Sequence, residues 1–290
     1  MKRRRDKRIR QVTYGLKAAQ KFLSSRTGYR VLLISVFIAF LVAGRSIGLD
    51  SNSVAWRWVM LSAFLTAPLI ACNAAEYWLI ARTHGLRLSF ADCIRVTLIG
   101  SVANLLPIPG QSATRVADLG SRSVAMAQAT RTTLAAGVLW AAWFFILAGM
   151  ASLDRQNALF PAGFLTLGIA CCVLSVMQIN SPDNRLRWIA LGSLIELFAV
   201  FIAWWRLILS LEAIDIAYTF SSAAVLLCAN VVSSAVGLAP AGLGIREAAG
   251  ALIAPQVNID PLAAAVAIAL SRFVGLAVCT SLALVSYRPR

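Results

Sequence analysis

Residues 237–250 read GLAPAGLGIREAAG. A hydrophobic run is stopped by Pro240, Gly242 and Gly244, and Arg246 and Glu247 follow at once. Proline removes a backbone donor and glycine loosens a helix. In hydrocarbon the backbone groups freed in this way must find partners, so such a break survives only inside protein or beside a water-filled cavity. How the stretch reads therefore depends on whether the chain lies in a membrane.

The composition says that it does. Of 290 residues, 59% are hydrophobic and 13% charged, and the mean hydropathy is +0.76. Soluble domains carry roughly a quarter charged residues. A spanning helix takes about 20 mostly apolar residues, so the length accommodates seven or eight spans and little else. The expected fold is an all-α polytopic membrane protein, with a basic segment at 1–30 and a single transmembrane domain at 31–290.

The formal charge of +15 is concentrated at the start. Residues 1–30 hold eleven Lys/Arg against Asp6 alone, so they contribute +10, and the other 260 residues supply +5. A basic block ahead of a span fits the positive-inside rule and contact with anionic lipid better than it fits nucleic acid. Lys residues interleaved with Leu, Tyr and Phe over 11–29 suit an interfacial helix. The block is too long, and lacks the small-residue site, for a cleaved signal. These features place the N-terminus in the cytoplasm and the chain in the plasma (inner) membrane.

Six cysteines sit in apolar surroundings without CxxC spacing and read as buried thiols. His84 is the only histidine, which argues against a metal centre built on His. Apolar runs mark spans at 31–49, 56–81, 132–153, 158–179, 187–210, 217–236 and 262–286. Trp56, Trp58, Trp188, Trp204 and Trp205 fall near span ends, where Trp anchors at the interface. The Ser271/Gly275 spacing in the last run lets helices approach closely.

A second interrupted run, FADCIRVTLIGSVANLLPIPGQSATRVADLGSRS at 90–123, matches the first in kind. Pro107, Pro109 and Gly110 break it, Arg115 and Asp118 follow, and Asn104 precedes, as Asn230 precedes the later break. Paired Gly/Pro-interrupted segments in the two halves of a chain are the sequence mark of a transporter's central site. The expectation is two broken or re-entrant segments in a pseudo-repeat arrangement. The competing reading is a pair of surface loops. Two Arg in the terminal SYRPR prefer the inner side, which requires one broken segment to cross fully; the sequence leaves this open.

ANLLPIPGQSATRVADL and APAGLGIREA resemble the two signatures of the lysylphosphatidylglycerol synthase transmembrane region, or flippase-like, family. Asn104, Pro107, Gly110 and Arg115 match the first; Pro240, Gly242, Gly244, Arg246 and Glu247 match the second; Arg272 resembles the Arg usual in the final span. Gln111–Ser112 stand where the family often has Gly and an acid, and Ala241 replaces the first Gly of its Gly-Gly pair. The resemblance implies movement of lipids or lipid-linked molecules between leaflets. Bifunctional members carry a soluble aminoacyl-transferase domain after the membrane part; these 290 residues include none, and lipid aminoacylation is not expected.

Ionisable residues within spans cost several kcal/mol and are functional candidates by default. Here they are Glu76, Glu196, Arg206, Arg246, Glu247 and Arg272, with Arg115 and Asp118 at the first break. Arg206 and Glu76 lie within snorkelling distance of span ends. Glu196 and Arg272 lie deeper, where a structural ion pair accounts for them as well as a functional role does. A helix restarting at Gly244–Ile245 would aim free N–H groups inward and favour an anion, phosphate above all. Arg246 adds a bidentate phosphate donor, and Arg115 from the other break would complete a headgroup seat. The bland alternative pairs Arg246 and Glu247 with each other, or with Arg115 and Asp118.

The leading expectation is translocation of a membrane lipid or lipid-linked molecule with an anionic or phosphate-bearing headgroup. A secondary transporter of a small soluble solute, or a non-catalytic accessory to lipid or cell-envelope biosynthesis, remains open. No HExxH, GxSxG or P-loop occurs, so no enzyme is expected, and no cofactor. A homo-oligomer is neither supported nor opposed.

Overall fold

The computed structural model describes residues 54–104, 110–154, 158–178, 185–236 and 244–286. The basic segment, the expected span at 31–49, and Pro107, Pro109, Pro240 and Gly242 lie outside the described residues. Within them the chain is all-helical. The helices are α1 (Trp56–Thr83), α2 (Phe90–Ala103), α3 (Gly110–Ser121), α4 (Met126–Ala151), α5 (Leu159–Met177), α6 (Arg185–Ala213), α7 (Phe220–Leu227), α8 (Ala229–Val236), α9 (Ile245–Ile253) and α10 (Pro261–Ser286). A 3-10 turn, Ala254–Val257, joins the last two.

Five helices, α1, α4, α5, α6 and α10, are long and apolar enough to cross a membrane. Their bounds follow the hydropathy runs to within a turn or two. The run at 217–236 is instead two short helices parted at Cys228. There the N–H of Cys228 donates to Val225 O and that of Val231 to Cys228 O, tight three-residue bonds that interrupt the α ladder. Neither Pro nor Gly marks this break.

Short polar side chains fix the helix starts. Ser89 Oγ accepts from the Asp92 N–H at 3.1 Å ahead of α2, and Thr219 and Ser222 cap α7 reciprocally. Each satisfies donors that the first helical turn leaves free.

Two pairings organise the core. Along α4 and α5, a Cβ on Gly168 would meet Ile146 Cγ1 at 2.7 Å, and buried Ser175 donates to Ala135 O at 2.8 Å. Small residues bring the backbones together, as membrane helices require when no hydrophobic drive separates protein from lipid. The second pair, α1 and α6, runs antiparallel in a fixed register. Ala55 N–H donates to Ala213 O at 2.9 Å, Arg206 Nε to Ser62 O at 3.2 Å, and Gly192 lies against Leu79.

Large apolar side chains cover the outside. Phe64 is 72% exposed, Ile169 60% and Phe198 56%. An apolar surface of this kind is stable against acyl chains, not water. Trp56 and Trp205 belong to it, but Trp188 does not: it is 4% exposed and packed in the α1–α4–α6 core. The expected interface anchor is a core residue.

Candidate functional site

The buried charges gather in two adjoining clusters. In the first, Arg115 Nη1 lies 2.6 Å from Glu76 Oε2, and its Nη2 donates to the Asn73 carbonyl at 2.9 Å. Its Nε is buried without a hydrogen-bond partner, and the guanidinium stands over the Tyr77 ring. Glu196 approaches Glu76 from α6, within hydrogen-bonding reach. All three side chains are buried. Asp118 does not pair with Arg115; it accepts from Tyr77 and from Arg122 Nε at 2.9 Å.

The local fold explains how Arg115 arrives there. Asn104, C-cap of α2, accepts the Gln111 N–H at 2.9 Å through Oδ1, satisfying a free donor at the start of α3. Gly110 rests directly on the Ala103 carbonyl, where any Cβ would collide with backbone. Asn104 is thus a link between α2 and α3 and is not among the residues lining the cavity described below.

In the second cluster, Glu247 Oε1 lies 3.2 Å from Arg272 Nη1, while its Oε2 accepts the Gly244 N–H at 2.8 Å. Gly244 holds φ +82° as N-cap of α9, a left-handed conformation that glycine adopts without strain. One N–H at the restarted helix end is therefore taken by the helix's own carboxylate. Among the described residues Arg246 has one long hydrogen bond, Nε to Ser233 Oγ at 3.3 Å. Arg206 donates to the Ser62 and Ser271 carbonyls.

These groups border a cavity of about 200 Å³ lined from α1, α3, α4 and α6 to α10, with Arg206, Arg246 and Arg272 in its wall. Asn73, Gln111, Asn230 and Ser271 add polar lining, and Trp140, Phe144 and Leu226 the apolar side. Arg246 lies within electrostatic range of both Arg206 and Arg272, with Glu247 the neighbouring carboxylate. Three positive charges against one negative leave a surplus of two. A larger, open depression of about 710 Å³ at the helix connections near Tyr218 and Asn258 has no cation in its lining among the described residues. The smaller cavity is therefore the candidate anion site.

No family model, curated protein or solved structure matches this chain.

The expected site residues thus divide. Arg246, Glu247 and Arg272 come together, as do Arg115, Glu76 and Glu196, and Gln111 reaches the cavity from the first break while Arg115 does not line it. Glu196 and Arg272 belong to different clusters, and Arg272 is in an ion pair with Glu247. Arg206 was expected to snorkel; it is 7% exposed and lines the cavity. Its position in the run suggested a span end, but α6 continues to Ala213 and keeps it inside. Ser233 carries no sequence signal of its role. The cysteines are all free thiols.

Proposed function

We propose that this protein moves a membrane lipid, or a lipid-linked molecule, between bilayer leaflets by seating its anionic, phosphate-bearing headgroup in the three-arginine cavity. One observation carries the reading: Arg206, Arg246 and Arg272 face a common space among membrane-length helices, with one carboxylate between them. Unpaired buried cations are costly, so an arrangement with surplus positive charge is complete when an anion is present. Guanidinium forks suit phosphate oxygens. Arg246, whose one bond among the described residues is the long one to Ser233, has donors to offer without breaking an ion pair.

The reading includes two re-entrant segments, α2–α3 and α8–α9, in a pseudo-repeat, seven or eight spans in all, a cytoplasmic N-terminus and residence in the inner membrane. It places the chain with the flippase-like proteins that its two signatures resemble, and it involves no catalytic step. Leaflet exchange in proteoliposomes tests it, using headgroup-labelled anionic, zwitterionic and polyprenyl-phosphate lipids. Exchange of a phosphate-bearing lipid above that of empty vesicles, lost in Arg246→Ala, is the expected outcome. Rates equal to empty vesicles for every lipid would refute the reading.

The cavity's size favours a second reading. At about 200 Å³ it is smaller than the roughly 300–1,000 Å³ of drug-sized ligand sites, and it would hold a small free anion as readily as a headgroup. Uptake of a soluble anion without lipid exchange would select that alternative.

A further inference from the structure

Glu196 lies midway along α6 and is 2% exposed. The antiparallel register of α1 and α6 places it opposite Glu76: Gly192, one turn before Glu196, lies against Leu79, one turn after Glu76. The two carboxyls reach each other, and Arg115 closes on Glu76 from α3 at 2.6 Å. An ionised carboxylate only accepts hydrogen bonds. A bond between two carboxyls therefore needs a proton on one of them. Two ionised carboxylates against one guanidinium would also leave a net negative charge in a dry core, where like charges side by side do not both persist.

Among the described residues the surroundings offer no other counter-ion. Facing the pair are Cys72 on α1 and Arg115 on α3. Asp118 on α3 is held by Tyr77 and Arg122, and Cys93 on α2 lies near it. On α2, Asp92 and Arg95 pair with each other. Arg131, the one charged residue of α4, reaches Met177 O at the helix's outer end. On α10, Arg272 is on Glu247 and Cys279 lies near Arg206. Helix α7 carries no ionisable side chain.

Arg115 links the pair to the cavity wall. Arg115 Nη2 binds the Asn73 carbonyl, and Gln111 sits one turn before Arg115 on the same face of α3. Asn73 and Gln111 both line the cavity.

We propose that Glu76 and Glu196 together hold one exchangeable proton, and that this proton sets how tightly the adjoining cavity holds an anion. With the proton bound, the two carboxyls and Arg115 sum to zero charge; its loss to water, breaking one O–H bond, leaves −1 beside the cavity. The protonated state therefore favours an anion, and by reciprocity anion binding takes up a proton. The resulting cycle moves a proton and an anion together. The coupling rests on the cavity's being an anion seat; the shared proton does not.

Infrared difference spectra of the full chain in lipid nanodiscs test the proton. At neutral pH the wild type is expected to show a protonated-carboxyl band that vanishes on alkalinisation. The band should be lost in both Glu196→Gln and Glu76→Gln, because the remaining carboxyl then ionises against Arg115, and kept in Glu212→Gln. Absence of the band in the wild type, or its survival in either Glu76→Gln or Glu196→Gln, overturns the shared proton. Calorimetric titration with sulfate, which does not titrate in this range, tests the coupling. Affinity should rise as pH falls by up to about tenfold per unit, the limit for one linked proton, and lose that dependence in Glu196→Gln. Affinity independent of pH in the wild type overturns the coupling. No sulfate binding at all overturns the anion seat with it, while the infrared band still decides the proton.

Discussion

The Arg206 guanidinium occupies the space that a side chain at Gly275 would need: a Cβ there would meet Nη2 at 2.8 Å. Gly275 in α10 is thus a recess for a cation on α6, which the same guanidinium ties to α1 through Ser62. Gly275→Val should push Arg206 off its carbonyl partners and cost about 1–3 kcal/mol through overpacking, more if a charged hydrogen bond is lost. Thermal unfolding in detergent measures it. Adding Arg206→Ala should recover part of the loss, and strict additivity of the two variants would contradict the recess.

Arg115 and Glu76 should differ in how much each matters to folding. Arg115→Ala leaves two buried carboxyls without their cation, and breaking such a pair costs about 3–5 kcal/mol. Glu76→Gln should cost much less, because Glu196 is in place to receive Arg115. Equal losses in the two variants, measured by denaturation under one condition, would show that Glu196 does not stand in.

Arg246 and Arg272 both face the cavity but differ in what else they hold. Arg246→Ala removes one 3.3 Å bond to Ser233 and should leave stability nearly unchanged. It should weaken anion binding by about 10- to 100-fold, the range for a charge-assisted hydrogen bond worth 1.5–3 kcal/mol. Arg272→Ala also strands Glu247 and should lower stability as well as binding. Paired melting and sulfate-binding measurements on the two proteins separate these effects. A stable Arg272→Ala protein would show that Glu247 does not need its partner.

His84, just past the end of α1, gives a pH dependence outside the spans. Its Nε2 bonds Thr132 Oγ1 at 3.0 Å and its Nδ1 is buried without a partner. Burial holds its pKa below the ordinary value of 6.5. The folded state thus resists a proton that the unfolded chain accepts. This contribution is fully present above the unfolded pKa and is lost as pH falls from there toward the folded value. Melting temperature should drop over that interval, and His84→Asn should drop less. A parallel fall in both proteins would remove His84 as the cause.

The helical class and the five long helices were legible because hydropathy adds up along the chain, and a spanning helix needs nothing beyond its own residues. The break at Cys228 was not legible, because no Pro or Gly announces it and three-residue backbone bonds make it. Trp188 and Arg206 were placed by distance from a span end, a one-dimensional measure. Helix α6 runs further and packs more deeply than its hydropathy run, so both residues are inside.

The charged residues divide along the same line. That Glu76, Arg115, Glu196, Arg246, Glu247 and Arg272 stand out follows from sequence alone, since an ionisable group in an apolar run is conspicuous wherever the helices go. Which of them meet was decided by the tertiary structure. A partner is set by which helices adjoin and in what register, and a single turn of difference, about 5.4 Å, exchanges one ion pair for another. The antiparallel register of α1 and α6 brings Glu196 to Glu76, and the recess at Gly275 brings Arg206 to the cavity, from positions far apart in the chain.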